Sequence, residues 1–299
     1  MSVVRWSSLL LAACVTLSVA PNAFAWGPDG HRIVCQIAVR LLDAPRQQEI
    51  IRLTAKYHRP NNGTGFSFFS EGCVFPDEAR QKARDNVAGW DKFDAFDAWH
   101  FLNVPRTTHL LAESDCNNNC VLTGIARHAD LLRTSKTDED RAEALFFLGH
   151  WVGDVHQPLH VSYSDDRGGN SITPIHGGFY ESTHMHGVWD SGIIANLVGP
   201  NGWRLFADRA AREITPAQND TWIAGSPLVW AQESYNLSTR QSAQYCSWRL
   251  VSGMQTCTRI PQERTFALPY QNEFRDDVAE RLQQAGARLA DLLRRHLSV

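Results

Sequence analysis

Apolar residues recur at helical spacing through most of the chain, which predicts a mainly helical protein. The strongest of these patterns lies in the middle of the sequence, where a broad apolar face runs through 137–155. Another long pattern near the end places Val278, Leu282 and Leu289 on one face. We predict helices over 29–42, 46–57, 77–90, 122–132, 137–155 and 274–297.

Two stretches depart from this pattern. The segment 59–76 is long and irregular, and a loop of this length inside a compact domain usually carries function. The segment 168–179 is rich in glycine and β-branched residues, which favours a short β-hairpin. The sequence shows no repeat, low-complexity tract or linker. We therefore expect a single all-α domain with one short β-hairpin.

The first 25 residues resemble a secretory signal. Arg5 supplies a positive start, 9–20 is apolar, and Ala23-Phe24-Ala25 offers the small residues that a signal peptidase needs. Cleavage there would leave a mature domain of 26–299 that begins at Trp26. An alternative is a lipoprotein cleavage site before Cys14. No later segment has the ~20 continuous apolar residues of a membrane helix, so we expect a secreted or periplasmic protein with no membrane span.

Export changes the meaning of the cysteines, because an oxidising compartment favours disulfides over thiols. Six cysteines remain after loss of Cys14, an even number with no CxxC pair. We predict the local pairs Cys116–Cys120 and Cys246–Cys257, which leaves Cys35–Cys73. These disulfides would brace the fold.

The formal charge of −3 argues against a protein that grips long duplexes with a basic stripe, and no such stripe is visible. If the substrate is a phosphodiester, metal ions must then supply most of the positive charge. This favours chemistry at one phosphate over extended duplex binding.

Two HxxxD pairs are the best candidate metal ligands. His150 and Asp154 lie one turn apart on the strongest predicted helix, and His186 and Asp190 repeat the spacing. His160 follows beyond Pro158, which should end that helix. Imidazole and carboxylate together suit zinc.

Further donors lie upstream at His31, Asp77 and His100. Each has an ordinary explanation when taken alone: a lone histidine is commonly a hydrogen-bonded core residue, and Asp77 is a typical helix cap. Their joint occurrence in one exported chain favours a metal site.

The order of these motifs resembles the S1/P1 nuclease family of zinc-dependent single-strand nucleases over the whole chain from Trp26. The matching motifs are Trp-x4-His from 26, Asp-x2-Arg from 77, Trp-His-Phe at 99–101, Gly-His-x3-Asp-x5-His from 149, Gly-Gly-Asn at 168–170 and His-x2-Trp-Asp from 186. The resemblance implies a disulfide-braced single domain of the phospholipase C/P1 nuclease type with three Zn²⁺ ions.

It also implies a ligand set for each zinc. Asp77, His100, His150 and Asp154 would hold the first, His160, His186 and Asp190 the second, and His31, Asp154 and the amino nitrogen and carbonyl oxygen of Trp26 the third. An α-amino group has a pKa near ~8, so a metal captures its neutral form at modest cost. That binding requires cleavage before Trp26, where the signal sequence independently places it.

The expected reaction is hydrolysis of single-stranded DNA or RNA to 5′-phosphorylated products. A water activated by the metals would attack phosphorus in line, with Asp154 bridging two zincs. Arg80, one turn after Asp77, could bind the developing negative charge, although a surface ion pair is the alternative. A 3′-nucleotidase activity could coexist.

Three residues are candidates for substrate contact. The resemblance implies that Phe101 stacks on a base, while a core phenylalanine is the alternative. Asn170 could bind substrate or simply form a turn. Asn103 departs from the fungal members, which carry an acidic residue in this segment, so base preference and the pH optimum are open.

Two other functions are alternatives to a nuclease. A zinc phospholipase C has a longer spacing before its first histidine and ends with HxxxE, so His31 and Asp190 favour the nuclease. A non-catalytic zinc-stabilised protein would close its metals with protein ligands, for which too few donors remain. We expect a monomer that binds a nucleic acid or nucleotide substrate and has no stable protein partner.

Overall fold

The computed structural model describes residues 26–172, 184–200, 202–259 and 266–299. Its α-helices are α1 Pro28–Arg40, α2 Ala44–Lys56, α3 Phe69–Gly72, α4 Phe75–Arg84, α5 Glu113–Cys116, α6 Val121–Thr134, α7 Asp138–His156, α8 Met185–Gly187, α9 Ile193–Val198, α10 Trp203–Glu213, α11 Pro216–Trp222, α12 Pro227–Thr239, α13 Leu268–Glu273 and α14 Arg275–His296. Short 3-10 helices cover Asp91–His100, Pro158–His160 and Gln241–Ala243, and a π-helical turn covers Val188–Gly192. The mainly helical fold class is therefore confirmed.

Helix α7 is the centre of the fold. Its first turn carries three acidic residues, and the Thr137 side chain accepts a hydrogen bond from the Asp140 amide at 3.1 Å. Both features stabilise a helix start, because they offset the unpaired amides there. Every residue over 144–156 is buried, since α1, α2, α4, α6, α12 and α14 all pack against α7. Side chains on this helix are therefore held rigidly.

The predicted helix over 77–90 is too long. Helix α4 ends at Arg84, and the backbone then turns through left-handed conformations at Asn86 and Gly89 before the 3-10 helix Asp91–His100. The Asp91–His100 helix ends at one of the candidate ligands. The apolar face of α14 is confirmed, since Val278, Leu282 and Leu289 are all fully buried.

A parallel strand pair brings two candidate ligands together. Strand β1 (Leu102–Val104) pairs with β2 (Val161–Tyr163) in the register Leu102↔Val161. Each strand begins within two residues of a histidine, and His160 Nδ1 lies 2.5 Å from the His100 carbonyl oxygen. Two ligand segments far apart in sequence are thus fixed side by side.

Most of the segment in which the sequence predicts a hairpin, 173–179, lies outside the described residues. In its described part, residues 168–171 form turns. The hairpin seen here is formed by β3 (Cys246–Val251) and antiparallel β4 (Met254–Arg259). The side chains of β3 do not alternate between buried and exposed. Its sequence therefore lacks the alternation that predicts a strand.

All three predicted disulfides are present, namely Cys35–Cys73, Cys116–Cys120 and Cys246–Cys257. The first joins α1 to the start of α4, and the last closes the hairpin. Across the described residues, no helix is both long and apolar enough to cross a membrane.

Candidate metal centre

The first cluster of donors is built on α7. His150 Nε2 lies 3.3 Å from Asp154 Oδ2, because residues four apart share one face of the helix. His100 Nδ1 lies 3.0 Å from His150 Nε2 and 3.2 Å from Asp154 Oδ2. Asp77 Oδ1 lies 3.6 and 3.7 Å from the same two histidine nitrogens. Ligands about 2.0–2.2 Å from a tetrahedral zinc lie about 3.3–3.6 Å apart, so these donors have suitable spacing.

The outer side of His150 is also fixed. Its Nδ1 lies 2.8 Å from the Cys73 carbonyl oxygen, to which it donates in the tautomer that leaves Nε2 as a metal-binding lone pair. Cys73 belongs to the disulfide with Cys35. The backbone of Gly149 packs against this disulfide, since a Cβ there would lie 2.7 Å from both sulfurs. This carbonyl acceptor could not be predicted from residue identities.

A second cluster contains His160, His186 and Asp190. The two Nε2 atoms lie 3.1 Å apart, and His186 Nε2 lies 3.3 Å from Asp190 Oδ2. Three backbone and side-chain groups orient these donors: the His100 carbonyl faces His160 Nδ1, the Gly168 carbonyl faces His186 Nδ1 at 2.7 Å, and Gln157 Nε2 donates to Asp190 Oδ1 at 2.5 Å. With three side-chain donors, this cluster leaves room for a substrate oxygen.

The remaining donors lie at the start of α1. His31 stacks on His150 with ring centroids 3.8 Å apart, and its Nε2 lies 3.4 Å from Asp154 Oδ1. Gly153 permits this approach, because a Cβ there would lie 2.7 Å from His31 Nδ1. Trp26 is fully buried, and the next amide, that of Gly27, donates to the Asp190 carbonyl at 2.7 Å. Four of the sequence-predicted donors therefore have a ring nitrogen 3.2–3.6 Å from an Asp154 oxygen, namely His31, His100, His150 and His160.

Several buried polar atoms in this region have no hydrogen-bond partner. They include both carboxylate oxygens of Asp154 and both ring nitrogens of His31. Such atoms are costly in a protein interior unless a cation or a hydrogen bond stabilises them. The histidine and aspartate atoms are donors of the kind that zinc prefers, so the residues fit the metal that the motifs imply.

Burial controls the protonation of the cluster. It raises the pKa of Asp154 well above its ordinary value, an effect that the nearby Arg80 cation opposes, and it also raises the pKa of Asp190. Burial lowers the pKa of His31, His100 and His160, so these rings favour the neutral form that binds metal.

Arg80 lies at the edge of the cluster and is mostly buried. Its Nε donates to Asp97 at 2.9 Å, and Arg84 binds the same carboxylate at 2.7 Å. The ion pair offered as the alternative explanation is therefore present. Arg80 also acts electrostatically on the candidate ligands, lowering the pKa of His100. Sequence reasoning missed Asp97 as the residue that orients Arg80.

Phe101 is partly exposed and lies outside the buried hydrophobic core. The Arg80 guanidinium lies 5.8 Å from its ring centroid, which places a cation beside a partly accessible aromatic face. This position agrees better with a stacking surface than with a core phenylalanine.

The other two candidates for substrate contact differ from each other. Asn103 lies on β1, and its Oδ1 is buried without a hydrogen-bond partner. Asn170 Nδ2 donates to the Arg167 carbonyl at 2.8 Å, which is the turn contact considered as its alternative. Their roles in binding substrate stay predictions.

A sequence model of the S1/P1 nuclease family matches residues 26–298. The chain belongs to the S1/P1 nuclease family. The matched segment begins at Trp26, the residue buried beside the cluster. Members of this family are nucleases, so the chain is a hydrolase of phosphodiester bonds.

Similar proteins occur in plants and fungi. Endonuclease 2 of Arabidopsis thaliana is 28% identical over 299 residues, which cover 93% of each chain. Nuclease S1 of Aspergillus oryzae is 25% identical over 76% of this chain and 79% of its own. Nuclease P1 of Penicillium citrinum is 27% identical over 64% of this chain and 74% of its own.

Proposed function

We propose that this S1/P1 family member is a zinc-dependent nuclease that cleaves single-stranded DNA or RNA to 5′-phosphorylated products. The observation that carries the proposal is Asp154, whose two buried oxygens face separate groups of histidines without a hydrogen bond. A carboxylate in this position is suited to bridge two cations. We also propose three Zn²⁺ ions per chain, export to the periplasm or medium, and a mature chain that begins at Trp26.

Three groups of residues would hold the ions. Asp77, His100, His150 and Asp154 would form one site, His160, His186 and Asp190 another, and His31, Asp154 and the backbone of Trp26 the third. When bound, the zinc ions lower the pKa of bound water toward ~7 and stabilise negative charge on phosphate oxygens.

The chain's own residues complete the chemistry. Arg80, held by Asp97, would donate to a nonbridging phosphate oxygen as negative charge develops. Phe101 would stack on the base next to the scissile phosphate, and stacking requires a base that is not paired. Preference for single strands follows from that requirement, without any reading of sequence.

The test is hydrolysis of matched single-stranded and duplex DNA, single-stranded RNA and phosphatidylcholine, each with and without a chelator. We expect cleavage of the single strands, loss of cleavage with the chelator, and recovery when zinc is restored. Lipid hydrolysis without polynucleotide cleavage, or full activity in metal-free protein, would overturn the proposal. Release of phosphate from a 3′-mononucleotide measures the accompanying nucleotidase activity.

A further inference from the structure

A row of alternating cationic and aromatic side chains lies on the surface beside the metal centre. We define it as the Arg–aromatic ladder, which consists of Arg32, Trp203, Arg204 and Phe68. The Arg204 guanidinium lies 4.8 Å from the Phe68 ring centroid and 5.0 Å from that of Trp203. The Arg32 guanidinium lies 6.0 Å from the Trp203 ring centroid. Three separate segments, α1, the 59–76 loop and α10, converge to form it.

The outer half of the ladder is available to a ligand. Phe68 is 53% exposed, although phenylalanine is usually buried, and Arg204 is exposed. Among the described residues, Arg204 forms no ion pair, so no carboxylate in this part of the chain neutralises its charge. Arg32, by contrast, is held by Asp29 at 2.9 Å and Glu71 at 3.1 Å. Arg32 therefore anchors the ladder, and Arg204 supplies its free charge.

One member of the ladder, Arg32, also borders candidate ligands. Arg32 and Pro28 line a cleft of about 390 Å³ that also contains Asp77, and the same two residues line a cleft of about 230 Å³ that contains Asp190. The larger cleft is mostly apolar, with Phe66 and Phe75 in its wall. The inner end of the ladder therefore shares clefts with a donor from each cluster.

We propose that the Arg–aromatic ladder is an accessory subsite for single-stranded nucleic acid, which binds nucleotides that flank the scissile phosphate. This inference rests on the proposed function. Bases stack on aromatic faces and on guanidinium planes, and phosphates pair with arginine, so alternation of the two suits a single strand and no particular sequence. The whole chain carries a net negative charge. The unpaired positive charge of Arg204 between two rings is therefore a local departure from the overall charge.

The subsite predicts a dependence of activity on strand length. We expect a dinucleotide to occupy the metal centre alone, whereas an oligonucleotide of about a dozen nucleotides, within the range of single-strand binding sites, should contact the ladder as well. We compare the ratio of kcat/KM for the long and the short substrate in Phe68→Ala, Arg204→Gln and the wild type. Both side chains are exposed, so neither substitution removes core packing.

We expect Phe68→Ala to lower this ratio roughly 5- to 100-fold, through KM for the long strand, because one stacking surface is lost. Arg204→Gln should lower it as well and should reduce the slope of log KM against log salt by about 0.7. Phe68→Ala should keep the wild-type slope. The control is Arg209→Gln, an exposed arginine on α10 that lies 5.7 Å from the Phe206 ring and pairs with Glu213.

The outcomes separate this inference from the function it rests on. If the wild type cleaves both substrates and the two variants keep its ratio and salt slope, the ladder only stabilises the surface, and the subsite is wrong. If Arg209→Gln lowers the ratio as much as Arg204→Gln, the effect is one of general charge, which also overturns it. If the wild type cleaves no polynucleotide, the proposed function itself fails.

Discussion

The Oδ1 atom of Asp154 lies 3.4 Å from Nε2 of His31, and both side chains are completely buried. Neither atom has a hydrogen-bond partner. The contact joins α1 to α7, and it is made by Oδ1, whereas Oδ2 is the oxygen that lies nearest His100 and His150. Because one carboxylate lies between two groups of histidines, a single substitution at this position should affect both groups.

Asp154→Asn should remove both metal binding and activity, because an amide keeps the shape of the side chain but not its charge. We expect activity to fall at least about 1,000-fold, as for loss of a principal electrostatic group in an active site. Zinc content by elemental analysis should fall by one or more ions per chain. Asp130→Asn, at an exposed aspartate that pairs with Arg133, is the control. Full retention of zinc by Asp154→Asn would refute its bridging role.

An additional alanine before Trp26 should displace the α-amino group from the cluster. The indole is fully buried, so little space exists to rearrange around it. We expect the extended protein to bind one zinc fewer and to lose most of its activity. Intact mass establishes the first residue of each preparation, and an alanine added after the exposed Val299 is the control. Equal zinc content and activity in both extended proteins would show that a free Trp26 amine is not a ligand.

Gln157→Met should weaken the second cluster without removing any donor. Gln157 donates to Asp190 Oδ1 at 2.5 Å and accepts from the Leu159 amide, so it fixes the orientation of this carboxylate. Loss of such a partner typically costs about 10- to 100-fold in metal affinity. Competition with a chromogenic chelator measures this change. Gln48→Met, at an exposed position of α2, should leave the affinity unaltered.

Phe101→Ala and Arg80→Gln should affect different kinetic constants. Loss of the Phe101 ring removes stacking worth about 1–3 kcal/mol, so we expect a higher KM for single-stranded DNA. Loss of the Arg80 cation should mainly lower kcat, because its interaction strengthens as charge develops on phosphate. Arg80→Lys should restore part of kcat. A fall in kcat alone for Phe101→Ala, at unchanged KM, would contradict the stacking role.

His128 should make the fold sensitive to acid. Burial lowers its pKa from 6.5 to about 4, and its Nδ1 lies 3.1 Å from the Trp151 indole nitrogen and 3.0 Å from the Gly124 carbonyl oxygen. The folded state therefore holds a neutral ring, while the unfolded chain takes up a proton below pH 6.5. Stability is present above that value and is lost as the pH falls toward 4, by about 3 kcal/mol in total.

Replacement of His128 tests this dependence. In His128→Gln the side chain can still accept a hydrogen bond but cannot titrate. Denaturant unfolding at a series of pH values should show a loss of stability between pH 6.5 and 4 that is smaller than in the wild type by about 3 kcal/mol. The exposed His58, replaced by Gln, is the control. Identical pH profiles for wild type and His128→Gln would rule out this source of acid sensitivity.

The sequence predicted the long helices well, because α14 carries an apolar face at helical spacing and α7 is a long, largely apolar segment that is buried on all sides. It also predicted the disulfides, since two of the three pairs close short loops. Helices α9 to α12 and the hairpin of β3 and β4 were not predicted. Helices α9 and α11 are only six and seven residues long, and α12 has no clear amphipathic period. Helix α10 does carry an apolar face, which packs mainly against α1.

For the site, spacing indicated which residues could share a metal but not what orients them. HxxxD predicts that His150 and Asp154 lie on one helical face, and this is confirmed by the 3.3 Å separation. The Cys73 carbonyl, Gln157 and Asp97 could not be found in this way. Each acts through a contact between segments far apart in sequence, and a carbonyl acceptor leaves no trace in residue identity. Assignment of the ligands to particular zinc ions stays a prediction.

The Cys35–Cys73 disulfide lies directly behind the metal centre, against Gly149 and one hydrogen bond away from His150. Formation of this disulfide therefore helps to position the Cys73 carbonyl, which orients the candidate ligand His150. We expect assembly to proceed in a fixed order, with cross-linking first and metal loading afterwards. A chain whose Cys35 and Cys73 are still reduced would then hold its metal site unassembled and would be inactive.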